Sequence, residues 1–227
     1  MKYLKSLLVL AVCLTGCNSA QNENGKEVEV IKEEQSTGMI RSEEFVKIEA
    51  KEISGNPIQL IGDEWMLITA GNKELYNTMT AGWGTLGVIW SKPIATCYIH
   101  PDRYTFEFME KEQSDYYTLC FFDRTYREAL NYCGTESGRN HKEINKAVAA
   151  GLTPLYTENG AVYFKEAYLV LECKKLYSDQ FKAENFATDI VMTRRGANTQ
   201  SIYNEMPQYH KFYIGEIINC LMRKPVK

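Results

Sequence analysis

The feature that most constrains this chain is a succession of short apolar runs rich in β-branched and aromatic residues, each closed by turn-forming residues. They lie at 45–49, 65–70, 78–83, 94–99, 116–122, 162–176 and 212–221. Such residues fit a pleated, packed surface, so the runs predict strands. Helical spacing is confined to a short amphipathic stretch at 104–111 and to 126–149, where helix is expected on both sides of 134–138. Asn159-Gly160, just ahead of the longest run, is a tight-turn dipeptide. Closely spaced strands with few crossover helices predict an antiparallel barrel in preference to a doubly wound sheet. The hydrophobic share, 44%, is sufficient for one packed domain.

Gly82-Trp83-Gly84-Thr85-Leu86-Gly87 matches the G-x-G-x-x-G spacing of dinucleotide-binding turns, with Asp102 twenty residues beyond the first glycine. That motif works only where the last glycine opens a helix whose N–H groups receive a pyrophosphate. Here the chain continues Val88-Ile89-Trp90-Ser91-Lys92-Pro93, which is β-branched and ends in proline, so a dinucleotide fold is excluded on context. The glycines then mark either a bulge or barrel corner, or a loop whose N–H groups face a planar ligand.

The N-terminus reads as an export signal. Lys2 and Lys5 precede the apolar run 7–14, which is too short to span a bilayer and leads into Leu14-Thr15-Gly16-Cys17. The small residues before Cys17 resemble a bacterial lipobox, implying cleavage after residue 16 and lipid on Cys17. Residues 18–42 are too polar to bury a core, so 17–42 is expected to be a lipidated cysteine and tether, holding a domain at 43–227 about 25 to 30 Å from the lipid. The expected location is outside the cytoplasm, anchored to a bacterial membrane. A net charge of −3, which becomes more negative without Lys2 and Lys5, argues against a nucleic-acid partner. Cys97, Cys120, Cys133, Cys173 and Cys220 show no metal-binding or redox-pair spacing, and no metal is expected; buried thiols are favoured over disulfides.

Several ordered motifs carry a family resemblance: the stretch from Tyr76-Asn77-Thr78-Met79 through Thr80-Ala81-Gly82-Trp83-Gly84, then Ser91-Lys92-Pro93, His100-Pro101-Asp102-Arg103-Tyr104-Thr105 and Tyr132-Cys133-Gly134-Thr135-Glu136-Ser137-Gly138-Arg139. With Gly151-Leu152-Thr153-Pro154 and His210-Lys211-Phe212-Tyr213-Ile214-Gly215-Glu216, the chain from about residue 53 to 223 resembles the flavin reductase-like family, nearest its flavoredoxin branch. The resemblance implies a mainly β fold, an FMN-binding split β-barrel of antiparallel, Greek-key type with a few peripheral helices. It also implies FMN as cofactor, NAD(P)H as a possible donor, and a homodimer with the flavin near the subunit interface.

Carried over by position, the resemblance implies that Asn77, Thr78, Met79, Thr80, Ala81 and Gly82 run along the flavin ring with backbone N–H groups toward it, and that Trp83 covers a ring edge. Thr78 and Thr80 share one face of a strand by the two-residue period. Ser137, Gly138 and Arg139 are the expected phosphate cradle, Arg139 gripping the anion, although a serine helix cap beside a solvated arginine fits the same residues. Lys92 and Arg103 are further expected cations, with surface charge as the alternative, and Tyr104 and Thr105 complete the set. His210 is expected close to the flavin. Tyr209 and Asn140 stand where the family often has acidic residues, so no catalytic acid or base is assigned. The implied function is an FMN-dependent oxidoreductase or electron-transfer flavoprotein with an unidentified redox partner. A non-catalytic flavin-binding lipoprotein is the alternative.

Overall fold

A computed structural model of the chain describes residues 44–111, 115–182, 185, 193–194, 197–198 and 209–224. The signal segment expected at 1–16, the tether at 17–42 and Cys17 lie outside the described residues. The strands are β1 (Phe45–Ile48), β2 (Met66–Gly71), β3 (Tyr76–Ala81), β4 (Gly84–Ile89), β5 (Lys92–Ile99), β6 (Tyr116–Phe121), β7 (Pro154–Tyr156), β8 (Val162–Phe164), β9 (Leu169–Gln180), β10 (Thr193–Arg194), β11 (Ala197–Asn198) and β12 (Lys211–Arg223). Among the described residues four short α-helices, α1 (Pro57–Gln59), α2 (Tyr104–Met109), α3 (Arg127–Thr135) and α4 (Lys146–Ala149), lie between strands.

The main sheet runs in the order β3-β2-β6-β9-β12-β5-β4, and every pairing in it is antiparallel. The long strand β12 organises it: β9 lies along one side, while the other side pairs first with β5, from Lys211 to Glu216, and then with β1, from Cys220 to Arg223. β7 pairs with β8 and β10 with β11 as separate two-stranded ladders.

Alternation along the strands divides the interior into two cores. Met66, Ile68 and Ala70 of β2 join Tyr117, Leu119 and Phe121 of β6 and Leu169, Leu171 and Cys173 of β9 in one cluster. Their neighbours Leu67, Cys120 and Val170 point the other way and pack with Leu130 and Cys133 of α3, Ala147 of α4 and the β8 side chains Val162, Tyr163 and Phe164. The central strands are therefore buried on both faces, which is why they read as unbroken apolar runs. On that second face Glu172 is fully buried, and its carboxylate accepts from Thr157 Oγ1 (2.6 Å), Asn159 Nδ2 (3.1 Å) and Asn219 Nδ2 (2.6 Å), three donors that offset the cost of burying it.

Two expectations change. The run 162–176 is two strands in different ladders, separated by a turn in which Ala167 N–H donates to Phe164 O. The glycine stretch 82–87 is no loop beyond Gly82-Trp83: Gly84 opens β4, which returns to β5 through Trp90 and Ser91, both at positive φ (50° and 59°), as a tight two-residue hairpin requires. The five cysteines of the domain are all free and buried.

Gly215 of β12 marks a close approach across the barrel. A Cβ there would stand 2.4 Å from Tyr117 Oη and 2.8 Å from Cys173 Cβ, both on fully buried residues. Gly215→Ala is expected to destabilise the fold by about 1 to 3 kcal/mol through overpacking. Gly87→Ala, with nothing closer than 4.0 Å, should stay within about 0.5 kcal/mol of the parent. Urea denaturation midpoints of the two variants test the contrast.

Candidate functional site

β3 ends the sheet, and its register decides which of its backbone groups are left over. In the turn joining β2 and β3, Asn72 N–H donates to Leu75 O at 3.0 Å, making that a hydrogen-bonded pair. Bonded and non-bonded pairs alternate in an antiparallel ladder, so Ala70/Asn77, Ile68/Met79 and Met66/Ala81 are the bonded pairs. Tyr76, Thr78 and Thr80 consequently turn their N–H and C=O groups away from β2. Asn145 Nδ2 reaches the Tyr76 carbonyl on this edge at 2.9 Å.

The side chains of β3 divide the same way. Thr78 and Thr80 do share a face, and both hydroxyls are engaged within the fold: Thr78 Oγ1 with Thr69 Oγ1 (3.0 Å) and Ile68 O (3.3 Å), Thr80 Oγ1 with Leu130 O of α3. What these two residues can offer a ligand is their backbone. On the other face, Asn77 is buried and donates to Thr105 Oγ1 at 2.7 Å, tying β3 to α2, while Met79 is half-buried and Ala81 packs into the barrel core.

Asn77 and Met79 open onto a cleft of about 110 Å³ lined also by Asp102, Arg103, Tyr104, Thr105, the 133–138 segment and Lys146. The segment expected to cradle an anion lies here. Ser137 caps a short 3₁₀ turn, Gly138–Asn140, accepting from Arg139 N–H at 3.4 Å. Gly138 presses onto the strand so closely that a Cβ would fall 2.0 Å from Asn77 Oδ1 and 3.0 Å from the Tyr104 ring. Gly134 stands against Thr80 in the same manner, its Cβ position 3.2 Å from that of Thr80. Small residues thus let the 134–138 backbone approach the open edge of β3.

The cations are arranged differently from expectation. Arg103 is at the cleft, beside Asp102 Oδ1 at 3.8 Å. Arg139 turns to α2: its guanidinium pairs with Glu107, donates to Asp102 O at 3.0 Å and lies 5.0 Å from the Tyr104 ring centre, so the local carboxylate and ring hold it away from an anion grip. Lys92 is outside the cleft. It starts β5, seven residues and roughly 23 Å of strand from Ile99, where its Nζ meets Glu216 Oε2 at 2.5 Å.

Sequence reasoning missed Lys146. It is only 3% exposed, and its Nζ donates to Cys133 O and Glu136 O, both at 2.8 Å, at the end of α3. A lysine opening a one-turn helix reads as a solvated charge; the Asn145 cap, whose side chain accepts from Ala147 N–H, is the local signal that the turn is fixed.

At the β3–β4 turn, Gly82 lies under the Trp65 indole, 3.0 Å from a Cβ position to Trp65 Cδ1, and Arg127 sits 4.2 Å over the same indole. Trp65 itself holds φ 68°, ψ 166°, a conformation rare outside glycine. Trp83 is half exposed and tilts against His210, ring centres 5.2 Å apart, and His210 meets His100 edge-on at 5.1 Å. His100 Nδ1 is 2.8 Å from Asp102 Oδ1. Burial first, then His100 and Arg103, push the His210 imidazole down to about 4, against an opposing pull from Asp102. The Trp83–His210–His100 row therefore stands beside Asp102 as a run of planar groups, with the His210 imidazole neutral at ordinary pH.

The model of the flavin reductase like domain matches residues 60–227. None of the curated proteins matches the sequence. Among solved structures, flavoredoxin from Methanosarcina acetivorans is 22% identical over 76% of this chain and 75% of its own, with a TM-score of 0.50. An FMN-binding domain of a flavin reductases-like enzyme from Shewanella baltica OS155 is 16% identical over 78% and 76%, TM-score 0.52. A split barrel domain protein from Shewanella frigidimarina NCIMB 400 is 18% identical over 76% and 74%, TM-score 0.51. At such identities the likeness establishes the fold, an antiparallel split barrel. With the family model spanning most of the chain and the fold agreeing with it, the chain belongs to the flavin reductase-like, FMN-binding family.

Proposed function

We propose that this chain binds FMN along the open edge of β3 and works as an electron-transferring oxidoreductase on the outer side of a bacterial membrane. The observation that carries the reading is the outward turn of the Thr78 and Thr80 N–H groups on the edge of β3, beside a cleft that Asn77 and Met79 share with the 137–138 backbone. Those N–H groups and that backbone are donors for a flat ring and for a phosphate respectively. The residues present fit that group: with glycine at 134 and 138 the backbone comes close against Thr80 and Asn77, which sets the Ser137–Gly138 turn beside the open edge of β3.

A cleft of about 110 Å³ falls short of the roughly 300 Å³ at which pockets for whole small molecules begin. Ser137 and Gly138 would hold the phosphate end inside it, and the ring would lie outside along β3 toward Trp83. Bound FMN supplies the redox chemistry. The chain's part is to fix the ring by backbone donors, to exclude water with Trp83 and Met79, and to present a neutral His210 at the mouth. A cover from a second subunit fits this arrangement, and the β4–β5 hairpin, with Val88 75% and Trp90 69% exposed, offers apolar surface for a homodimer. If Cys17 is lipidated, NAD(P)H is not normally at hand, which favours a membrane-associated redox partner as the source of electrons.

Protein purified without added cofactor should be yellow, with the absorbance of oxidised flavin. Anaerobic NADH that bleaches the bound FMN would identify a reductase. Bleaching by dithionite alone, followed by reoxidation through a membrane fraction, would identify an electron carrier, and no exchange with any fraction would leave a flavin-binding lipoprotein. A colourless protein that takes up no FMN would remove the reading.

Cys17→Ser is expected to release the protein from membranes with unchanged flavin affinity; retention on the membrane would refute the lipid anchor. His210 gives a pH signature. Its folded value, about 4, lies below the ordinary 6.5, so the unfolded chain takes up this proton first and folding stability falls as pH drops from about 6.5 through 4. An NMR titration should place the His210 midpoint near 4, and His210→Gln should flatten the stability curve across that window.

A further inference from the structure

We infer that Lys146 is the counter-charge for the flavin phosphate and makes the cleft select phosphorylated over unphosphorylated flavin. The inference rests on the FMN reading above and assigns its anion to a residue that sequence patterning passes over.

An ammonium removed from water is costly unless charge or hydrogen bonds replace the hydration. Lys146 is 97% removed from solvent by its 3% exposure, yet its two partners are neutral, the carbonyls of Cys133 and Glu136. Among the described residues no carboxylate lies within ion-pairing distance of its Nζ. Two acceptors occupy two of the three N–H groups of an ammonium, which leaves one for the cleft that Lys146 lines.

The surroundings add positive charge to the same space. Arg103 lines the cleft, and its nearest carboxylate, Asp102, is 64% exposed and also engaged by His100 at 2.8 Å. Glu136, the other acid of the lining, is exposed. Solvent screens the acids while the lysine is shielded from it, so an anion entering between Ser137 and Lys146 meets an unscreened cation. Burial, and after it Arg103, pull the Lys146 ammonium below its ordinary value, with Cys133 and Glu136 acting the other way; a dianion alongside would restore it. Arg139 lacks this poise because Glu107 and the Asp102 carbonyl hold it.

A competing role is structural, since the two carbonyl bonds cap α3. Lys146→Gln separates the two, because an amide can still donate to a carbonyl but carries no charge. Dissociation constants for FMN and riboflavin, measured by flavin fluorescence quenching on the purified protein, should show FMN weakened on the order of 10- to 100-fold and riboflavin within about twofold. Lys146→Arg should recover part of the FMN preference, and Arg139→Ala should lose less of it than Lys146→Gln. Equal losses for FMN and riboflavin in Lys146→Gln would overturn the assignment, as would a full FMN preference in that variant. Inorganic phosphate is the second probe: it should raise the melting temperature of the wild-type protein and not of Lys146→Gln. If neither flavin binds the wild-type protein but phosphate still protects it through Lys146, the FMN reading fails and the anion site stands. Absence of both responses overturns the inference.

Discussion

Burial of the central strands on both faces governs everything else in this structure. Met66, Ile68 and Ala70 fill the barrel while Leu67 packs outward under α3 and β8, so the middle of the sheet has no surface left to offer. Chemistry is driven to the margins, where a strand has backbone groups with no ladder partner. β3 is such a margin, and its phase is set far from any ligand, by the Asn72–Leu75 turn bond. Shifting that turn by one residue would exchange the outward N–H groups of Thr78 and Thr80 for those of Asn77 and Met79, and send Asn77 away from Thr105. A hairpin turn thus determines which donors the open edge of β3 presents.

Charge within the site is ordered by burial more than by residue type. Lys92, Arg103, Arg139 and Lys146 carry the same formal charge, but Lys92 and Arg139 are close to Glu216 and Glu107, on partly exposed pairs whose net worth is small. Arg103 shares Asp102 with His100, and Lys146 alone meets backbone carbonyls in the interior. Loss of hydration, which weakens the case for a lysine as a mere solubilising charge, is what makes this one responsive to an incoming anion.

Much of this was legible in the residues. The strands at 45–49, 94–99 and 116–122 were set by β-branched and aromatic content, and the failure of the 82–87 glycines to open a helix followed from the residues after them. Less was legible where two structures share one pattern. The run 162–176 is continuous in hydropathy because both faces are buried, so alternation gives no sign of the turn at 165–168 that sends β8 to a different ladder. The pairing of cations also escaped: sequence shows that Arg139 follows Ser-Gly, but not that Glu107, thirty-two residues earlier, sits one hydrogen bond away. Lys146 escaped for the opposite reason, since nothing local distinguishes a lysine that points inward.

The two ends of the site differ in kind, and the difference matches the proposed ligand. At the β3–β4 turn the available surface is planar: Trp83 against His210, His210 against His100, with burial and neighbouring positive charge keeping His210 neutral. At the 137–138 turn the cleft narrows onto backbone donors and a buried ammonium. A ligand that is flat and weakly polar at one end and doubly anionic at the other can satisfy both, whereas a free anion or an uncharged ring satisfies only one. Because the two ends are built from different elements, α3 and α4 for the charge and the β3–β4 turn with β12 for the planar surface, affinity for the anion and contact with the ring can be altered separately, and the Asn77–Thr105 bond is the piece that holds the two in register.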